Sequence, residues 1–108
     1  SLIEHGRVVR PLIGLSGMDV TPATATRLNL DVTEGVIVTQ MSREGPAYKA
    51  GIRVGDVIAK VDGIPTPDMA RFLSLLWTYD VSDVVTVEYV SDHETLLAQV
   101  ELMERPPD

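Results

Sequence analysis

Apolar and polar residues alternate most regularly near the end of the chain, where Val85, Val87 and Tyr89 are separated by Thr86 and Glu88. Successive side chains of a strand point to opposite faces, so this run predicts a strand over Val84 to Val90 with one buried face. A polar turn at Ser91-Asp92-His93-Glu94 and a second apolar-rich run, Thr95 to Leu102, complete a predicted hairpin. The β-rich run Val36 to Met41 predicts another strand, with Val36, Val38 and Met41 as its core candidates. Between these runs the period becomes helical. Met69, Leu73 and Leu76 fall at i, i+4 and i+7, and Phe72, Leu75 and Tyr79 at i, i+3 and i+7. A helix opened by Pro67-Asp68, with Asp68 or Thr66 near its cap, and reaching about Tyr79 would therefore carry two apolar stripes, and each needs something to cover. Thr21-Pro22, a capping residue before a proline at the first helical position, starts a shorter helix that runs through Ala23 to Leu28 and stops at Asn29.

The densest punctuation lies between Gly45 and Gly63. Gly45-Pro46-Ala47-Tyr48-Lys49-Ala50-Gly51 predicts one helical turn, begun by a proline that loses no useful N–H and ended by a left-handed glycine. Gly55-Asp56 signals a turn, Val57 to Val61 a strand, and Asp62-Gly63 a tight turn. This run resembles the signature SPA-x-x-AG-L-x-x-GD-x-I-x-x-x-NG of PDZ domains, in the form carried by bacterial HtrA (Deg) serine proteases. Gly45 stands for the usual Ser, Ile52 for Leu and Asp62 for Asn.

A second cluster, Leu12-Ile13-Gly14-Leu15, reads apolar-apolar-Gly-apolar. A free carboxylate is best held by convergent backbone N–H groups, and glycine lets the backbone come close. On these four residues alone an apolar strand with a glycine bulge fits better; the downstream signature in register reverses that balance. Gly6 to Leu15 resembles the family's GRVxRxYLGI segment, which ends the linker from the protease domain, with Leu12 replacing the common aromatic. The resemblance implies carboxylate-binding amides at Ile13, Gly14 and Leu15, and ligand-strand pairing along Leu15, Ser16, Gly17 and Met18. It implies an apolar pocket from Leu12, Ile13, Leu15, Met69, Leu73 and Leu76, with Arg10 steadying the loop. Laid on the family's P-V-x-S-x-x-D-L-x-x-x-L pattern, Asp68 falls on the capping Ser, Phe72 on the first Leu and Leu76 on the second.

The resemblance implies an α+β fold, a bent antiparallel sheet or partial barrel of five to six strands flanked by two main helices. It divides the chain into a linker at 1–10, the domain at 11–103 and a tail at 104–108. At 108 residues and 44% hydrophobic content the chain suits one core. A sequence that starts at Ser1-Leu2-Ile3 is expected to be a piece of something longer, with no signal peptide at its head.

Sixteen Asp plus Glu against nine Lys plus Arg give a net charge of −7, which argues against nucleic acid or anionic lipid as a partner. The absence of cysteine excludes thiolate chemistry and disulfides. Gly14-Leu15-Ser16-Gly17 echoes a serine-hydrolase elbow, but Met18 stands where either hydrolase pattern needs glycine. His5 and His93 fall in a linker and a polar turn, so no metal site, cofactor or catalytic group is expected.

What the resemblance implies is a non-catalytic module that recognises apolar C-termini of misfolded or signalling proteins by strand addition. It would regulate or supply an upstream protease domain with serine endopeptidase activity, outside the cytoplasm, in a parent that can be a homo-oligomer. The competing reading is a scaffold that binds internal segments or packs on a neighbouring domain. The same module in an intramembrane zinc protease or a C-terminal processing protease is disfavoured by the leading His5-Gly6-Arg7-Val8-Val9-Arg10-Pro11.

Overall fold

A computed structural model describes residues 11–104 in full and the backbone of 2–4 and 7–9. Along the chain come β1 (Leu2–Glu4), β2 (Arg7–Val9), β3 (Pro11–Leu12), β4 (Leu15–Asp19), α1 (Pro22–Leu28), β5 (Val36–Met41) and α2 (Pro46–Lys49). They are followed by β6 (Val57–Val61), β7 (Ile64–Pro65), α3 (Met69–Leu76), β8 (Val84–Ser91), β9 (Glu94–Glu101) and β10 (Met103–Glu104).

Local chemistry sets these limits. Thr21 caps α1 by accepting the Thr24 N–H at 3.1 Å, and Asn29 ends it in the left-handed region at φ 56°. Asp68 caps α3 by accepting the Arg71 N–H at 2.8 Å. Asp56 is buried, and its carboxylate accepts the Arg53 N–H at 2.9 Å, which closes the turn into β6. Asp92 and His93 both have positive φ, as a two-residue hairpin turn demands, so the β8–β9 turn is tighter than the four polar residues predict.

The main sheet runs β4-β5-β6-β8-β9, with β7 also paired to β6, and each of these pairings is antiparallel. It has six strands and is not closed into a barrel. Val36, Val38, Ile58, Val85 and Val87 turn to one face and are almost wholly buried beneath Phe72 and Leu76 of α3. Ile37 and Val57, out of phase with these, join Val20 and Ala25 of the α1 region in a smaller cluster. The predicted alternation in β8 is observed, with Val85, Val87 and Tyr89 buried.

Several boundaries differ from expectation. The stretch expected as a linker contains an antiparallel pair, β1 with β2, in which Ile3 lies opposite Val8. Glu104, expected in the tail, extends β10, which pairs with β3 through Met103 opposite Leu12. The helix ends at Leu76, capped by Trp77, although the chain keeps turning through Thr78 and Tyr79. Its two stripes are not separate either. Leu76, expected in the groove stripe, is 3% exposed and shares the core with Phe72, while Met69, Leu75 and Tyr79 pack at the edge of that core. An eight-residue helix on so small a sheet turns most of its circumference inward.

Tyr79 fastens the far end of this segment. Its hydroxyl donates to Asp62 at 2.7 Å, and the other oxygen of Asp62 accepts the Thr86 N–H at 2.7 Å. Burial, reinforced by the hydrogen bond and charge of Asp62 and by Asp83, pushes the Tyr79 hydroxyl up to about 12 from 10.0. The folded state therefore holds this proton more tightly than the unfolded chain. The resulting stability is complete below pH 10 and fades as the pH climbs towards 12. Urea titrations across that window should show a steeper loss for the wild type than for Tyr79→Phe, and parallel curves would deny the coupling.

Thr66, between β7 and α3, is wholly buried, and its hydroxyl is the buried side-chain polar atom left without a partner among the described residues. Replacing it with a methyl of similar shape removes an unmet desolvation cost. Thr66→Val is expected to raise the unfolding free energy by about 1 kcal/mol in chemical denaturation; a comparable loss would show that the hydroxyl is satisfied.

Candidate functional site

Strand β4 lies at the end of the main sheet, with β5 on one side and, among the described residues, no strand on the other. Its free backbone groups are a template for a further strand. The loop leading into it is held by its carbonyls. Ile13 O accepts the Ala47 N–H at 3.0 Å and Gly14 O accepts the Ser42 N–H at 3.0 Å. Both ties come from the segment that opens α2.

The ties require a close approach. Gly14 has φ +85°, and a Cβ there would lie 2.9 Å from the Gly45 Cα; a Cβ on Gly45 would lie 3.0 Å from the Gly14 Cα. Backbone meets backbone at this crossing. With these carbonyls turned inward, the N–H groups of Ile13 and Gly14 donate to no backbone carbonyl among the described residues. Because Gly14 faces β5, strand alternation sends the Leu15 N–H to the open side. Three unpaired amides thus follow one another at the head of an unpaired edge.

Along β4 the register slips between Ser16 and Gly17. A Cβ at Gly17 would come within 2.6 Å of both Ile37 O and Val36 Cγ1, so only glycine fits the irregularity. Ser16 and Met18 are exposed, Met18 by 53%. Ser16 O accepts the Thr39 hydroxyl at 3.3 Å.

Across from this edge stands α3, which contacts β4. Met69 and Leu73 are half-buried, and Leu73 is not part of the core packing. Leu76 is buried in the core. The Met69 N–H donates to Asp19 Oδ1 at 2.8 Å, joining the start of the helix to the end of the strand. Leu12, Gly14, Leu15 and Ser16 line a shallow cavity of about 370 Å³ with Gln40, Met41 and Ser42. Its walls include Leu12 and Met41 but no residue of α3. Met41, a core candidate in the sequence, packs against the core from its edge and also lines this cavity. Its place opposite Leu15 in the β4–β5 register is the signal that puts it beside the loop.

Arg10 and His5 lie outside the described residues. His93 sits on the surface in contact with Asp31, its Nδ1 3.0 Å from Oδ2. Among the described residues no cluster of three His, Cys, Asp or Glu could hold a metal ion, and no helix is long and apolar enough to cross a membrane.

The PDZ domain family model matches residues 11–102. The serine endoprotease DegS of Escherichia coli (strain K12) is 33% identical over 105 residues, 97% of this chain and 30% of that protein. The periplasmic serine endoprotease DegP of the same strain is 28% identical over 103 residues, 95% of this chain and 22% of that protein. A solved structure of the HtrA-type protease AlgW with a decapeptide superposes with a TM-score of 0.86 at 28% identity, covering 96% of this chain and 32% of AlgW. The chain therefore spans less than a third of the length of these relatives. With the family match running from β3 to the end of the β8–β9 hairpin, and proteases of this kind among its relatives, the chain belongs to the PDZ domain family, in the form carried by HtrA-type serine proteases.

Proposed function

We propose that this domain captures the free C-terminus of a polypeptide by adding it as a strand beside β4. The observation that carries the reading is the run of unpaired amides from Ile13 to Leu15 at the head of an open edge. A carboxylate there replaces water by two or three charge-assisted hydrogen bonds, and the preceding residues pair with Leu15, Ser16, Gly17 and Met18. The terminal side chain enters the apolar space between Leu15 and the half-buried Met69 and Leu73 of α3. Arg10 adds positive potential to the loop. Burying one Leu- or Val-sized side chain is worth roughly 1.5 to 3 kcal/mol, and ordering the peptide offsets part of that, so micromolar affinity is the natural scale. AlgW was solved with a decapeptide, which supports a peptide as the ligand class.

In the intact protein the domain serves a serine endopeptidase whose catalytic residues lie outside this chain, as the endoprotease relatives support. It presents misfolded or signalling C-termini to that protease or reports their presence to it. DegP's description as periplasmic supports an extracytoplasmic setting.

Calorimetric titration of an apolar-ended peptide and its C-terminal amide should give micromolar binding for the acid and at least a tenfold weaker response for the amide, about the worth of one charged hydrogen bond. Equal binding of both would favour the scaffold reading. Leu73→Ala should weaken the acid several-fold with little loss of stability. Leu76→Ala should cost about 2–5 kcal/mol of unfolding free energy as a core truncation; the reverse pattern would misplace the groove. Arg10→Ala should weaken the acid at low salt, and unchanged affinity there would remove Arg10 from the site.

A further inference from the structure

Strand β4 and helix α3 are tied together at one end. Asp19, the last residue of β4, accepts the backbone N–H of Met69, the first residue of α3, at 2.8 Å. Two further bonds stitch the same corner: Gly35 N–H to Pro67 O at 2.9 Å, and Val20 N–H to Gly35 O at 2.9 Å. The other end of the helical segment is fastened through Tyr79 and Asp62 to the β6–β7 turn and β8, away from β4.

An aspartate side chain is one methylene and a carboxyl long, so the bond to Met69 brings the helix backbone within a side-chain length of β4. An added strand needs roughly 4.8 Å beside β4 for its own backbone and must also clear the helix on its other flank. The strand and the tie compete for the same space at Asp19. An antiparallel ligand with its carboxylate at the Ile13–Leu15 amides sets its last residue beside Leu15 and earlier residues beside Ser16, Gly17 and Met18. About four residues fit before the tie is reached.

We propose that Asp19 is a positioning residue that gauges ligand length, holding the start of α3 against β4 so that only the last few residues of a C-terminus pair with the strand. Upstream residues leave the strand at Asp19 unless the tie opens. This inference rests on the terminal-peptide reading above and adds the length of chain that the site reads.

The test is calorimetric titration of the 108-residue chain with two free-acid peptides sharing the same C-terminus, one of four residues and one of ten, plus the amide of the longer. Wild type should bind the two acids within about twofold. Asp19→Ala, which removes the tie, should bind the ten-residue acid about fivefold more tightly, the equivalent of one net hydrogen bond gained by pairing beyond position 19, and leave the four-residue acid within about twofold. Asp19→Asn keeps the acceptor and should behave as wild type, which separates geometry from charge. Circular dichroism confirms that each variant is folded. A wild type that already gains several-fold with length, or an Asp19→Ala change equal for both peptides, would overturn the gauge and leave terminal recognition standing. If the amide binds as well as the acid, or neither acid binds, terminal recognition falls and the gauge with it.

Discussion

Everything proposed for this domain depends on the contact between Gly14 and Gly45. Two chain segments 31 positions apart (45 − 14) meet with no side chain between them, and the carbonyls of Ile13 and Gly14 are consumed by Ala47 and Ser42. A peptide unit whose carbonyl is tied inward has its orientation fixed, so the neighbouring amides are fixed too. An anion site made this way needs no charged side chain, which suits a chain of net charge −7. It also explains why the Gly45-Pro46-Ala47 start of the signature matters to a loop elsewhere in the sequence: Gly45 makes room for the loop and Ala47 supplies its donor.

The groove helix illustrates how a small domain economises on structure. Phe72 and Leu76 serve the core, Met69 and Leu75 pack at its edge, and Leu73 stays outside it. Fixed ends hold such a helix in place: Asp68 caps it, Asp19 ties its start to β4, and Tyr79 secures the turn beyond its end through Asp62. Asp62 also holds β8 through Thr86, so an acidic residue where the family has asparagine connects the tight turn after β6, the helix and the hairpin. The bonds are individually modest, yet they hold the helix at both ends and restrain its position together.

Much of this was legible in the sequence because it is written in local chemistry. The caps at Thr21 and Asp68, the left-handed Asn29 and the alternation of Val85, Val87 and Tyr89 each depend on neighbours within a few positions. What escaped depends on distant partners. Nothing near Leu76 announces that it turns into the core, since helical spacing gives two stripes but not which one the sheet covers. Met41 could be assigned to the loop's surroundings only after the β4–β5 register set it opposite Leu15. The Asp19–Met69 bond joins residues 50 positions apart, and no periodicity reports such a pair. Pro11 and Leu12 pair with β10 in a small separate sheet, which composition alone does not show.

The most direct test is a crystal structure of the chain with a bound free-acid peptide. The account predicts the peptide carboxylate within about 3 Å of at least two of the N–H groups of Ile13, Gly14 and Leu15, and the peptide backbone antiparallel to β4. A peptide seated elsewhere, on the β9 edge for instance, or one whose carboxylate points to solvent, would contradict it.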